Sequence, residues 1–292
     1  MTTQGGGRVA FVASGATGYV GGRVAARLAE AGVGQRLLVR DGGRAPELAG
    51  AEVAEASYAD PEALGEALAG PRVFFMVSGA EDRDRIGQHK AAVDAAVAAG
   101  VERIVYLSFV AAAPDTTFTF GRDHYHTEQH IRATGLGFTF LRDNWYQDML
   151  PLMAGADGVI RGPAGEGRVG AVSRDDVADA AVAVLLGEGH DGRAYDVTGP
   201  GAITLREAAE ELSAATGRRV TYSVETVEEA HSSRSGYGTP DWVVEGWVTS
   251  YVAIANGELE TVSDAVLELT DHAPTTFAEF LRRHPESYRH LV

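Results

Sequence analysis

The feature that most constrains this chain lies at residues 9–23, where an apolar run meets glycines at 15, 18 and 21 and then a helix-patterned stretch. A strand that turns on glycine and reopens directly as a helix aims bare backbone N–H groups, and the positive end of a helix dipole, at an anion such as a pyrophosphate. A glycine triplet alone serves equally well as a packing turn between helix and sheet. Its place after an apolar strand and before a periodic helix favours nucleotide binding. On that reading Gly15, Thr17, Gly18, Tyr19, Val20 and Gly21 line the phosphates.

Further apolar runs at 36–39, 52–56, 73–77, 104–109 and 138–141 predict five more strands after the one at 9–13. Alanine-rich helical stretches at 19–32, 44–49, 61–69, 83–99 and 122–134 fall between them. Continuous apolar strands alternating with helices predict an α/β fold, a Rossmann-like doubly wound parallel sheet with helices on both faces. After residue 141 the alternation breaks. The Pro/Gly-rich stretch 153–170 reads as loops or a hairpin, 174–186 as a helix, and 194–198 and 219–224 as strands. Thr204 with Glu207 predicts a capping box for a helix over 205–215. Residues 232–239 read as a flexible loop and 240–256 as a helix with proline in its first turn. The predicted organisation is a dinucleotide-binding domain over 1–150 and a smaller α/β substrate lobe over 151–292, some of whose segments return to the main sheet.

Composition removes several classes of function. The net charge of −16 over 292 residues disfavours nucleic acid and anionic membranes as partners. With no cysteine, thiol nucleophiles, disulfides and cysteine metal sites are excluded. The first eight residues carry no apolar signal-peptide core, and no run spans a bilayer, so a cytoplasmic protein is expected. His126 and His130 have a metal-compatible spacing, but no third ligand is evident and no metal is expected.

The second strand ends at Arg40, with Arg44 nearby. An arginine there accommodates a 2′-phosphate and so favours NADPH, with NADH as the alternative coenzyme. Asp41 complicates this, since its carboxylate could turn inward, and the alternative to phosphate recognition is an Arg40 that is a solvated surface charge. Asp60 either touches the adenine or caps the helix beginning at Pro61. Ser78 and Gly79 end the fourth strand, where the middle of the cofactor would run. Trp145, Met149, Tyr237, Trp242, Trp247 and Tyr251 are candidates to wall an acceptor pocket. Trp247 and Tyr251 share a helical face, which equally suits a core.

In combination, Ser14-Gly-Ala-Thr-Gly-Tyr-Val-Gly21, Tyr106-Leu-Ser-Phe109, His124-Tyr-His-Thr-Glu128, Leu141-Arg-Asp-Asn-Trp-Tyr146 and Ser173-Arg-Asp-Asp-Val-Ala178 resemble the NmrA-like branch of atypical short-chain dehydrogenases. The pattern is most similar to bacterial NAD(P)H:quinone oxidoreductases and triphenylmethane reductases. It runs nearly end to end, through Tyr195-Asp-Val-Thr-Gly-Pro200 and Pro274-Thr-Thr-Phe-Ala-Glu-Phe280. The resemblance implies NADPH preference and a pocket between the dinucleotide domain and the small lobe. It also implies cofactor contacts at Gly15 to Gly21, Arg40, Asp60, Ser78 and the segment 143–147 (Asp143, Asn144 and Trp145 among them), with Arg174 near the pocket. The chain departs from the family at Asp143-Asn144, where Asn-Gly is usual, and at Gln129, often lysine.

The main short-chain dehydrogenases pair a tyrosine with a lysine four residues on, the lysine lowering the tyrosine pKa for proton transfer. Here Lys90 is the one lysine of the chain, far upstream, so that tetrad cannot form. Chemistry that needs little enzymic acid remains: hydride onto a quinone, a cationic dye, an iminium or another planar conjugated small molecule. His124 and Tyr125 are candidates for optional proton delivery, and Ser108 for holding an acceptor oxygen. Against these stand a His124 that starts a helix facing water and a Ser108 that is merely satisfied. Tyr146 is divided between substrate stacking and core. The alternative is a non-catalytic NADP(H)-sensing regulator of the NmrA type; an epimerase or ketoreductase fits less well without the tyrosine–lysine pair. A homodimer is entertained.

Overall fold

The computed structural model describes residues 10–292, so Val9 of the first predicted strand and the N-terminal octapeptide lie outside the described residues. The chain runs β1 (Phe11–Ser14), α1 (Tyr19–Glu30), β2 (Gln35–Val39), β3 (Ala51–Glu55), α2 (Pro61–Leu68), β4 (Val73–Val77), α3 (Arg85–Ala98), β5 (Arg103–Phe109), α4 (Thr119–Thr134) and β6 (Gly137–Asp143). It continues through α5 (Met149–Leu152), β7 (Val159–Gly162), β8 (Arg168–Val169), α6 (Arg174–Leu186), β9 (Arg193–Val197), β10 (Ile203–Thr204), α7 (Leu205–Thr216), β11 (Thr221–Val224), α8 (Val227–Arg234), α9 (Asp241–Ala255), α10 (Ala265–Thr270) and α11 (Phe277–Arg283).

Seven strands form one sheet in the order β3-β2-β1-β4-β5-β6-β9, the Rossmann-like arrangement expected. β1 pairs in parallel with β2 (Phe11 opposite Gln35) and with β4 (Phe11 opposite Val73). The order reverses between β1 and β4, and it is outside the carboxyl ends of strands at such a switch that open α/β sheets hold ligands. The strands were legible because helices cover both faces: Val12, Phe74, Met76, Ile104, Tyr106 and Phe140 are wholly buried in one core cluster.

Two compact units divide the chain. The first runs to Ser108 and takes in His124–Arg142 and Val177–Tyr195. The second comprises Phe109–Asp123, Asp143–Asp176 and Asp196–Val292, with its own core around Trp145, Leu205, Tyr222, Tyr251 and Phe280.

Three local expectations are corrected. Residues 44–49 form no helix. Instead a 3-10 turn at Gly42–Arg44 ends at Ala45, whose ψ of 138° is extended, as the residue before Pro46 prefers. The stretch 153–170 is more than the loops or hairpin expected: one antiparallel bridge joins Ala154 to Ile160, but β7 pairs in parallel with β11 and β8 antiparallel with β10, both partners arriving much later in the chain. Residues 232–239 are not a free loop. α8 runs into them, started by a capping box between Thr226 and Glu229, and a 3-10 turn at Ser235–Tyr237 follows. The box predicted at Thr204 and Glu207 is present and opens α7.

Candidate functional site

In the first unit the glycine turn links β1 to α1. Gly15 adopts φ +69°, and a Cβ there would meet the Val77 side chain at 3.1 Å. A Cβ on Gly21 would lie 2.3 Å from the Gly15 carbonyl oxygen, so glycine at 21 lets the helix seat against the turn. Gly18 is the exposed N-cap of α1, its N–H bonded to the Gly15 carbonyl at 2.8 Å, and no side chain caps the helix. Thr17 and Tyr19 are exposed beside it and Val20 is buried beneath. An uncapped helix end behind a glycine turn is electrostatically suited to a phosphate.

The turn is braced from below. Ser14 Oγ donates to the Phe75 carbonyl (3.1 Å) and accepts from Val77 N–H (2.8 Å), tying β1 to β4. Tyr58 Oη stands 2.7 Å from Ser14 Oγ and 2.8 Å from the Val77 carbonyl, and burial pushes its hydroxyl pKa up.

At the end of β2, Asp41 is committed locally: its carboxylate accepts Gly43 N–H at 3.0 Å and caps the 3-10 turn. Arg40 is exposed and, among the described residues, has no side-chain partner. An unengaged guanidinium at this strand end fits a 2′-phosphate. Asp60 caps α2, accepting Ala63 N–H at 3.1 Å. Ser78 and Gly79 follow β4, and both backbone groups of Gly79 are held by α3: its N–H donates to His89 Nε2 (2.8 Å) and its carbonyl accepts from Arg85 Nε (2.9 Å). Sequence reasoning missed Arg85 and His89; their one available signal was a polar pair four apart on an otherwise alanine-rich helix.

His124 does not face water, correcting that expectation. It lies inside α4, 6 % exposed, with Nδ1 3.0 Å from Tyr106 Oη and Nε2 3.4 Å from the Arg85 guanidinium. Burial and Arg85 hold its pKa well below the ordinary histidine value, so at neutral pH it carries no extra proton to deliver. Ser108, wholly buried, donates to Glu128 at 2.7 Å, and Glu128 is paired with Arg142. Tyr125 is half-buried, edge-on to exposed His126, while His130 pairs with Asp94 at 2.7 Å. No cluster of three metal-ligating side chains occurs among the described residues.

In the second unit, Tyr146, Met149 and Arg174 come together. The Arg174 guanidinium lies 4.5 Å from the Tyr146 ring centroid, 3.7 Å from Met149 Sδ and 3.6 Å from Asp148. Tyr146 donates to Asp143, and burial together with that carboxylate holds its pKa well above the usual tyrosine value. Asn144 is spent on structure, its amide donating to the Leu259 carbonyl (3.0 Å) and its oxygen accepting Trp145 N–H (2.8 Å). Trp145 packs edge-on against Tyr251 at 5.1 Å within the core. Trp242 meets Phe120 at 6.0 Å, while Trp247 belongs to a separate cluster with Ala230, Val244 and Val248. Trp247 and Tyr251, one turn apart on α9, thus pack into different clusters.

The NAD(P)H-binding family matches residues 15–188, from the glycine turn through α6. The chain belongs to this NAD(P)H-binding family. It is 33% identical to the NAD(P)H azoreductase of Xenophilus azovorans over 94% of its own length and 97% of that protein. The NADPH-dependent quinone oxidoreductase of Escherichia coli, solved with NADPH, superposes with a TM-score of 0.86 at 31% identity, covering 94% of this chain and 99% of that one. The triphenylmethane reductase of Citrobacter sp., solved with NADP(H), gives 0.85 at 32% identity with the same coverage. The family member described here is an oxidoreductase, as the resemblance implied. No described helix is long and apolar enough to cross a membrane.

Proposed function

We propose that the chain is an NADPH-preferring reductase that transfers hydride to a planar conjugated small molecule without a tyrosine–lysine pair. The observation that carries this reading is the placement of the one lysine. Lys90 is exposed on α3, and the residue four after Tyr125 is the exposed Gln129. A standard alcohol–ketone proton transfer has no ammonium to lower a tyrosine pKa here. The azo, quinone and triphenylmethane acceptors named for its relatives are conjugated systems that take hydride at an electron-poor centre.

The residues present fit the coenzyme. The turn at Gly15, Gly18 and Gly21 and the open end of α1 would hold the pyrophosphate, Arg40 the 2′-phosphate, and Ser78-Gly79 the middle of the molecule. When bound, the reduced nicotinamide supplies the hydride. The protein's own work is to orient and to exclude water, which well-placed groups do at large kinetic advantage. Tyr146, Met149 and Arg174 offer an aromatic face, a polarisable sulfur and a cation for a flat acceptor.

Stopped-flow mixing with NADPH and a panel of quinones, azo dyes and triphenylmethane dyes should show loss of reduced-nicotinamide absorbance with at least one class. Tight NADPH binding with no turnover on the whole panel would replace this reading with the non-catalytic sensor.

A further inference from the structure

Beneath Gly79 the first unit buries a closed ring of hydrogen bonds whose proton positions the donors dictate. An arginine only donates, so His124 Nε2, 3.4 Å from Arg85, accepts, and His124 Nδ1–H donates to Tyr106 Oη at 3.0 Å. The Tyr106 hydroxyl in turn bonds Thr127. At the other end the Gly79 N–H likewise only donates, so His89 Nε2 is an acceptor at 2.8 Å. Its Nδ1–H therefore donates to Thr127 Oγ1 at 2.9 Å. Both chains converge on Thr127 and begin at the two faces of one glycine, because Arg85 Nε also donates to the Gly79 carbonyl at 2.9 Å. Arg85, His89, Tyr106, His124 and Thr127 are all buried, so a broken link would strand a polar group away from water. A side chain at residue 79 is disfavoured as well, since a Cβ would lie 3.3 Å from His89 Nε2.

We propose that Arg85 and His89 are positioning residues that hold Ser78-Gly79 as a fixed rail for the dinucleotide, with Thr127 tying together the Nδ1–H ends of both histidine chains. The inference rests on the proposed seat of the coenzyme at the β1/β4 switch. It assigns the fixed geometry of the rail to side chains beneath it, bonded to the Gly79 backbone.

The first test uses the unmodified protein without coenzyme. Nitrogen-15 histidine spectra should place the His89 proton on Nδ1, and the Gly79 amide should exchange slowly with solvent. Calorimetry then compares variants whose folding is verified by circular dichroism. Thr127→Val and His89→Leu should each raise the NADPH Kd by about tenfold and raise the KM for NADPH more than the KM for the acceptor. Thr127→Ser and His89→Gln, which keep an oxygen within reach, should recover most of that loss. If the wild-type chain bound no NADPH, the proposed function would fall and this inference with it. A wild-type chain that binds NADPH while both apolar variants keep its Kd, or a His89 ring protonated at Nε2, would overturn the inference alone.

Discussion

Arg142 grips both carboxylate oxygens of Glu128, at 2.8 and 2.6 Å, and the Glu128 side chain is 1 % exposed. With Ser108 donating to the same carboxylate, β5, β6 and α4 are joined at one buried charge. Removing the cation leaves that charge uncompensated, which typically costs 3–5 kcal/mol, whereas neutralising the acid costs less. Arg142→Leu should therefore lower the urea-unfolding free energy by about 3–5 kcal/mol and Glu128→Gln by about half as much. Equal, sub-kcal effects would place the pair among inconsequential surface contacts.

Arg40, without a side-chain partner among the described residues, gives a prediction of coenzyme choice. A charge-assisted bond to a 2′-phosphate contributes about 1.5–3 kcal/mol, so Arg40→Ala should raise the NADPH Kd roughly 10- to 150-fold and leave NADH nearly unchanged. Fluorescence titration with both coenzymes decides it. Parallel losses would remove the arginine from phosphate recognition.

Two glycines of one turn should fail differently. A methyl on Gly21 collides with the Gly15 carbonyl at 2.3 Å, so Gly21→Ala should destabilise the fold by about 1–3 kcal/mol or more, as overpacking does. At Gly18 the nearest atom to an added Cβ is 3.3 Å away and the site is exposed. Gly18→Val should keep its melting temperature within a few degrees and lose NADPH binding. A thermal melt paired with calorimetry separates the two, and a Gly18→Val protein that binds normally would move the phosphates elsewhere.

Acid should loosen the first unit. Burial first, and the Arg85 guanidinium second, push the His89 pKa down to about 3 from an ordinary 6.5. The unfolded chain thus takes up a proton that the folded chain refuses across that interval. The neutral ring's contribution is complete above about pH 6.5 and is lost as pH falls toward 3, by up to about 1.4 kcal/mol per pH unit. His124, shifted in the same direction with Tyr106 and Arg85 against it, steepens the loss. Urea midpoints measured from neutral to mildly acidic pH should fall steadily, and His89→Gln should flatten the slope; a level wild-type profile would contradict the burial of a neutral ring.

Much of the architecture was readable because its determinants are local. The central strands of the large sheet, β1, β4 and β5, are short apolar runs separated by helices, and the glycine turn and the Thr204 cap announce themselves within a few residues. The Thr226–Glu229 box was equally visible, and only the serine-rich tract after it hid α8. What escaped is non-local. β7 and β8 find partners some 60 and 35 residues downstream, which no pattern in their own stretch encodes. The ring under Gly79 draws on β5, α3 and α4, so each member read alone was a stray polar residue. The assignment of His124 shows the same gap: its position on a helix was predictable, but whether that face met water was not.

One topological detail bears on how such a protein could be dissected. The seventh strand of the large sheet, β9, begins at Arg193, past residue 188 where the family match stops. A fragment trimmed to that boundary would bare the flank of β6, leaving a row of unsatisfied amides and carbonyls ready to recruit a stranger. The dinucleotide half is thus not a portable cassette, and grafts or biosensors built from it need the chain at least through Val197 to stay monodisperse.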